Sequence, residues 1–284
     1  MPRVIETLSS LRGSVADLRA GAGRIGFVPT MGNLHRGHLS LFEEAWKHCD
    51  ATVASIFVNP TQFGPGEDFE AYPRTFEADL EALASVGCDL VWAPPVETMY
   101  PLDQPFMLRV PEVLSDRLCG RSRPGHFDGV ATVVLRLFSQ VQPDVAVFGE
   151  KDFQQLLILR QMAQDFSLPV ALVGAPIVRE EDGLAMSSRN GYLDHRQRAI
   201  APALSRVLRE TADGLIAGED FERLKKRALA QLQSAGFSPD YLEWHSAKDL
   251  GEPKPGEPSR VFGAAWLGKA RLIDNIPVPA AATA

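Results

Sequence analysis

Two histidines three residues apart carry the first chemistry of this chain. His35 and His38 flank Gly37, soon after the apolar run Ile25-Gly-Phe-Val-Pro-Thr30. Leu39, Phe42, Trp46 and Cys49 then recur at spacings of three and four, which predicts a helix beginning near Gly37. Both imidazoles would lie in its first turn and on one face. Unpaired backbone N–H groups and the helix dipole attract anions there, so both rings can meet one phosphate chain. Gly37 leaves room for a ligand against the backbone. Two other readings stay open for the tetrapeptide alone: part of a zinc site, or ordinary helix-start residues. A zinc site needs three or four ligands, and no third of suitable type lies close by.

Three further segments place polar groups at the ends of elements. Gly149-Glu-Lys-Asp152 lies between an apolar run and a helical one. Lys151 there can reach phosphate, and Asp152 can accept from a ribose hydroxyl or cap the helix. Met186-Ser-Ser-Arg189 offers two hydroxyls and a guanidinium in succession. These groups donate to phosphate oxygens, the guanidinium through two parallel bonds, although the segment alone also reads as a polar loop. Asn59, Gln62 and Gln155 are neutral amides beside apolar segments. They suit either the polar groups of a substrate or loop backbone, and Asn59-Pro60 is itself a turn signal. His48, His126, His195 and His245 read as surface or packing residues. His126 also lies near Arg121 and Arg123, in a Pro/Gly loop that could contact substrate. Glu180, Glu181 and Asp182 read as a solvated charge run.

The elements that must hold these groups alternate. Val4, Leu8, Leu11, Val15 and Leu18 fall at helical spacing, and the strand ending at Pro29 follows. The unbroken apolar run from Ala51 to Val58 suits a strand buried on both faces of a parallel sheet. Phe76 to Val86 reads as a helix with Phe76, Leu80 and Leu83 inward, and Asp89 to Trp92 as a strand. Gly129 to Gln140 reads as a helix, Val145 to Phe148 as a strand and Phe153 to Gln164 as a helix. Such alternation indicates βαβ units in a doubly wound, Rossmann-like parallel sheet. Ligands bind beyond the carboxyl ends of its strands, so the segments His35–His38, Asn59–Gln62 and Gly149–Asp152 can line one crevice. The pattern changes after Val173. Gly174 to Val178 reads as a hinge, which divides the chain into residues 1–176 and a smaller α+β domain, 177–284. Helices are expected over His195–Leu215 and Phe221–Ser234, and strand-like stretches over Tyr241–Ser246 and Val261–Ile273. A loop is expected at Gly251–Pro258, and a disordered tail from Pro277 to Ala284.

Bulk properties narrow the classes. The 284 residues carry a formal net charge of −7, which argues against broad nucleic-acid binding. A few local cations still suffice for phosphate. No segment reaches the apolar length of a membrane span, and Met1-Pro-Arg-Val leads into no signal core. The three cysteines, Cys49, Cys88 and Cys119, are scattered. They read as free thiols of a reducing compartment, which points to the cytoplasm.

Taken together, Pro29-Thr-Met-Gly-Asn-Leu-His-Arg-Gly-His38, Ser55-Ile-Phe-Val-Asn-Pro-Thr-Gln-Phe-Gly64, Phe148-Gly-Glu-Lys-Asp-Phe-Gln-Gln155 and Arg179-Glu-Glu-Asp-Gly-Leu-Ala-Met-Ser-Ser-Arg-Asn190 resemble the pantothenate synthetases, the ligases of pantoate and β-alanine. The resemblance continues through Tyr72-Pro-Arg-Thr75, Leu118–Phe127 and Ala264–Asn275, and so spans nearly the whole chain. It implies an AMP-forming ligase with a pantoyl-adenylate intermediate. It implies ATP contacts from Met31, Gly32, Asn33, Leu34, His35, Arg36, Gly37 and His38, from Gly149, Glu150, Lys151 and Asp152, and from Val178, Met186, Ser187, Ser188 and Arg189. Arg36 has no individual role within its run. Gln62 and Gln155 would bind pantoate, with Asn59 beside them, and Gln62 would also lie near β-alanine. Pro29, Met31 and Phe63 are candidates for apolar walls against the geminal methyl groups of pantoate. His38 would act as proton donor or charge stabiliser, with His35, Lys151 and Arg189 beside it. The 177–284 domain would act as a lid. Mg²⁺ would be held mainly by phosphate oxygens, without a protein cage, and the family implies a homodimer. Two other classes share some of these features: a class I aminoacyl-tRNA synthetase and a non-catalytic nucleotide-binding regulator.

Overall fold

The protein is described by a computed structural model covering residues 1–67 and 69–280. The chain divides into two compact units. The first comprises Met1–Glu150 and Gln155–Pro176, the second Lys151–Gln154 and the chain from Ile177 onward.

The first unit is built on six parallel strands: β1 (Arg3–Ile5), β2 (Ile25–Thr30), β3 (Ala51–Ile56), β4 (Leu90–Trp92), β5 (Val145–Gly149) and β6 (Ala171–Ala175). Their spatial order is β1-β4-β3-β2-β5-β6. The helices are α1 (Leu8–Ala22), α2 (Arg36–Ala45), α3 (Phe76–Ser85), the short α4 (Val96–Met99), α5 (Glu112–Ser115) and α6 (Leu118–Ser122), then α7 (His126–Val141) and α8 (Phe153–Asp165). This is the doubly wound α/β sheet expected from the alternation. Successive side chains of a strand point to opposite faces. Val28, Ala54, Val91 and Val147 accordingly share one core with Leu41, Phe42 and Ala45 of α2 and Leu80 and Leu83 of α3. On the other face Phe27 and Phe148 each meet Phe138 of α7 edge-on, with ring centroids 6.4 Å apart.

The chain winds outward from β2 through β3 to β4, then returns to the other side of β2 with β5 and β6. The order therefore reverses between β2 and β5. The carboxyl ends of these two strands bound the crevice where doubly wound sheets take ligands.

Three local expectations change in this unit. Val4 belongs to β1, paired with Val91, and the first helix starts only at Leu8 behind its Thr7 cap. The buried face of α2 is Leu41, Phe42 and Ala45, while Trp46 lies beyond the helix end and is exposed. Gly174 and Ala175 are not a linker, because they pair with Phe148 and Gly149 at the end of β6.

The second unit packs α9 (His195–Ile200), α10 (Ala203–Ile216) and α11 (Phe221–Ser234) with an antiparallel sheet of β7 (Ser238–Ser246), β8 (Ser259–Leu267) and β9 (Ala270–Val278). Leu204, Val207 and Leu208 share its core with Leu232, Leu242, Val261 and Leu272. The single helix expected over His195–Leu215 is two helices, interrupted at Ala201-Pro202, where proline removes a backbone donor. The stretch Val261–Ile273 is a hairpin, with Gly268 at φ 59 turning β8 into β9. Part of the expected disordered tail is ordered: Pro277 and Val278 pair with Arg260 and Ser259. Residues 281–284 lie outside the described residues.

Candidate functional site

The turn between β2 and α2 is held from below by a carboxylate. Gly32 and Asn33 both take positive φ, 81° and 52°. This reverses the chain and aims two backbone N–H groups at one point. Asp79 of α3 fills that point, accepting from Asn33 N–H at 2.9 Å and Leu34 N–H at 2.7 Å. Thr75 Oγ1 donates to the same side chain at 3.2 Å. A Cβ on Gly32 would stand 2.9 Å from Asp79 Oδ2, so both φ and space require glycine there. Thr30 Oγ1 closes the turn from the strand side, donating to Ser55 O at 2.6 Å and accepting from Gly32 N–H.

His35 is the N-cap of α2 and His38 its third residue. The Gly37 N–H donates to His35 Nδ1 at 3.1 Å, and the His35 N–H donates to His38 Nδ1 at 3.3 Å. His35 thus caps one first-turn N–H of the kind expected to attract an anion, and His38 caps the N–H of His35. With Nδ1 accepting, each neutral ring carries its proton on Nε2. The rings lie together, centroids 4.1 Å apart, as the three-residue spacing requires. The helix start therefore presents imidazole donors in addition to its dipole.

A second turn follows β3. Asn59 caps the 3-10 turn Pro60–Gln62 and is 1% exposed. Its Oδ1 accepts from Thr61 Oγ1 at 3.0 Å and from Tyr100 O–H at 2.7 Å, while Nδ2 donates to Gln62 Oε1 at 3.1 Å and Gly129 O at 3.2 Å. Burial pushes the Tyr100 phenol above its ordinary pKa, against the contact with the Thr61 hydroxyl, so it remains a donor. The Asn59 amide is engaged by the protein itself, which is the loop-ordering alternative left open for it. Gln62 differs. Its Nε2 donates to the Met31 thioether at 3.0 Å, and sulfur is a weak acceptor that a substrate oxygen readily outcompetes. Gly129 admits the turn: a Cβ there would lie 2.2 Å from Thr61 O. His126 Nδ1 also reaches this turn, 2.8 Å from Gln62 O.

Gly149 ends β5 at the reversal of strand order, Glu150 opens the 3-10 turn that follows, and Gln155 lies half-buried in the first turns of α8. Between them, Lys151 and Asp152 sit in a 3-10 turn, with Lys151 Nζ 3.6 Å from an Asp152 carboxylate oxygen. Lys151–Gln154 cluster with the second unit, where Asn275 Nδ2 donates to Lys151 O at 3.1 Å. Arg260 donates to Asn275 Oδ1 and stacks over Phe153, 4.0 Å from its ring centre.

In the second unit, Val178 and Met186 meet across a tight reversal: Met186 N–H donates to Val178 O at 3.0 Å, and Arg179 bridges Ala185. Two residues eight apart in the chain, both assigned to ATP, thus become neighbours. Arg179 pins the reversal, donating to Gly183 O, Ser205 Oγ and both Asp274 oxygens, the last at 2.7 and 2.9 Å. Ser187 then caps the 3-10 turn Ser188–Tyr192, accepting from Arg189 N–H at 3.3 Å. Asp182 is exposed, as a solvated run requires, and its carboxylate pairs with Arg198 and accepts from Leu184 N–H, which hold it below its ordinary pKa.

Sequence reasoning missed Asp79, Tyr100, Gly129, Arg179, Arg260 and Asp274, all of which act by holding other residues. Only Gly129 left a local signal, as the glycine placed at the head of a helix that in fact begins three residues earlier, at His126. The cysteines are free, and burial pushes the Cys88 thiol to about 12, which leaves it unreactive. Among the described residues no three His, Cys, Asp or Glu side chains gather so as to hold a metal ion, and no helix is long and apolar enough to cross a membrane.

Comparison with known proteins covers the same span. A family model described as pantoate-beta-alanine ligase matches residues 3–277. The pantothenate synthetase of Alkalilimnicola ehrlichii is 56% identical over 276 residues, which is 96% of each chain. That of Pseudomonas aeruginosa is 53% identical over 278 residues, covering 96% of this chain and 98% of its own. Among solved structures, pantothenate synthetase from Thermus thermophilus matches with a TM-score of 0.90 and 45% identity, covering 98% of this chain and 99% of that one. The pantoate-beta-alanine ligase from Francisella tularensis, solved in complex with beta-gamma ATP and beta-alanine, matches with a TM-score of 0.82 and 32% identity over 97% of each chain.

Proposed function

The chain belongs to the pantoate-β-alanine ligase family, and we propose that it joins pantoate to β-alanine through pantoyl adenylate, with ATP cleaved to AMP and pyrophosphate. In the first half-reaction a pantoate carboxylate oxygen bonds to the α-phosphorus, and the bond from that phosphorus to pyrophosphate breaks. In the second, the β-alanine amine bonds to the activated acyl carbon, AMP leaves with the former carboxylate oxygen, and the amine loses a proton. No covalent enzyme intermediate is needed.

The observation that carries this reading is the imidazole pair at the end of β2, each ring with Nδ1 on a backbone N–H. Two Nε2–H donors fixed in this way suit the charge that grows on the phosphate oxygens. Donors that need no reorganisation stabilise such charge most effectively. His38 and His35 are assigned that task, with Lys151 and Arg189 as cations. The remaining residues of Met31–His38, Gly149–Asp152 and Met186–Arg189, with Val178, are assigned to ATP. Gln62 and Gln155 are assigned to pantoate, whose apolar methyl groups suit Met31, beside Gln62, and Phe63. Asn59 is assigned to holding Gln62. Asp79 is already committed to backbone donors, so Mg²⁺ falls to phosphate oxygens, as is usual for this ion. The complex of the Francisella ligase with beta-gamma ATP and beta-alanine supports ATP and β-alanine as substrates. Three free cysteines fit a cytoplasmic enzyme. A homodimer is the assembly expected of the family, and light scattering tests it.

The reaction is tested by incubating the protein with ATP, Mg²⁺, pantoate and β-alanine. AMP and pyrophosphate form only when pantoate is present, and pantothenate additionally requires β-alanine. Formation of ADP in place of AMP overturns the adenylate route.

A further inference from the structure

We propose that Glu67, Arg123 and His126 form a positioning relay that sets Gln62 for pantoate; the inference rests on the assignment of Gln62 as a pantoate ligand. The polarity of the relay follows from its end. The Gln62 carbonyl only accepts, so His126 Nδ1, at 2.8 Å, donates and carries the ring proton. In the neutral ring Nε2 then accepts, and Arg123 Nη1 stands 2.8 Å from it. The same guanidinium places Nε and Nη2 on the two Glu67 oxygens at 2.7 and 2.6 Å. Arg123 thus donates at both ends, to the Glu67 carboxylate and to His126, and His126 donates onward to the turn that carries Gln62.

The arrangement separates this role from substrate binding. Arg123 and Glu67 are 17% and 24% exposed at their side chains, and the bidentate fork matches the arginine charge internally. Burial pushes the Glu67 carboxyl up, but the Arg123 hydrogen bonds and charge outweigh it and hold the carboxyl below its ordinary value. The arginine therefore supports the histidine and does not await a substrate carboxylate. Its contact also selects the ring tautomer, since only the Nδ1–H form both accepts from Arg123 and donates to Gln62.

The first turn of α7 thereby grips the Pro60–Gln62 turn twice, through His126 and through the Gly129 carbonyl bonded to Asn59. The backbone of Gln62 is held by one grip, and its side chain, through Asn59, by the other. Each end of the same residue is thus placed before a substrate arrives, which is what selective hydrogen bonding requires.

Steady-state kinetics on single and paired variants tests the relay. His126→Ala is expected to raise KM for pantoate by about tenfold, the scale of one lost buried hydrogen bond, with KM for ATP unchanged. His126→Asn, whose amide nitrogen lies near the Nδ1 position, should recover most of the loss. His126→Gln, which reaches only the Nε2 position, should not. In a Gln62→Ala background, removal of His126 should add less than about twofold, because the two residues act through one contact. An undiminished tenfold loss in that background overturns the relay, as does an equal rise in both KM values or an equal effect of Asn and Gln. If Gln62→Ala itself leaves KM for pantoate unchanged, the pantoate assignment falls, and the relay with it. If Gln62→Ala raises it and the His126 variants do not, the relay alone falls.

Discussion

Two buried aspartates hold two loops assigned to ATP, and they do so by different means. Asp79, 2% exposed, has no cation among its described partners and accepts from two backbone N–H groups and a threonine hydroxyl. Asp274, 4% exposed, accepts both arms of Arg179 and the Asn275 N–H. Burial of a carboxylate is costly unless hydrogen bonds or a counter-charge offset it. The first solution depends on backbone shape, since only the Gly32-Asn33 reversal aims two N–H groups at one oxygen pair. The second depends on a partner side chain and is less demanding of local backbone. The difference predicts which kind of change breaks each loop.

The largest effect is expected where a charge loses its partner. Arg179→Ala leaves Asp274 buried and unpaired, which costs about 3–5 kcal/mol. Urea unfolding should register that loss, and amide exchange should locate it in α10 and β9. A change below about 1 kcal/mol would mean that water replaces the guanidinium. Next come the groups assigned to the reaction itself. His38→Ala and Lys151→Ala should each slow single-turnover adenylation by about two to three powers of ten, the loss typical of one transition-state donor. Near-normal turnover in either variant would remove that residue from the mechanism.

Asp79→Ala should sharpen the comparison. It leaves two backbone donors without their acceptor, at a cost of about 1–3 kcal/mol, and it slows adenylation less than His38→Ala because the imidazoles remain. Asp79→Asn keeps one acceptor and should recover part of the loss, whereas Asp274→Asn leaves the Arg179 charge unmatched. Equal recovery at the two sites, measured as unfolding free energy, would contradict the distinction drawn between them. The smallest effect is a dependence on pH. Glu67 has a lowered pKa in the folded state, so its contribution is complete above the ordinary carboxylate range. The contribution fades as pH falls through the lowered folded value. The difference in melting temperature between the protein and Glu67→Gln should therefore shrink in strong acid and stay constant near neutrality.

Much of this site is legible in the chain because its donors are local. His35, Gly37 and His38 meet through one helical turn, and Gly149-Glu-Lys-Asp152 marks the end of a strand. The same locality explains the errors. Val4 fits helical spacing, yet it pairs in a strand because a sheet edge lay open beside β4. Val261–Ile273 reads as one strand because apolar alternation continues on both sides of the Gly268 turn. For Asn59 the sequence left a substrate role and a loop role open, and its partners here, the carbonyl of Gly129 and the hydroxyl of Tyr100, come from distant parts of the chain.

The sequence by itself determined the alternation that makes a doubly wound sheet, and the residue types at the ends of its strands. Those depend on periods of two and 3.6 residues and on turn chemistry, which neighbours in the chain specify. The tertiary structure alone decided what holds each group in place. Asp79 stands 46 residues from Asn33, His126 64 from Gln62, and Arg179 95 from Asp274. No local pattern encodes such pairings, because a buried polar group finds its partner only after register and packing have brought distant segments together.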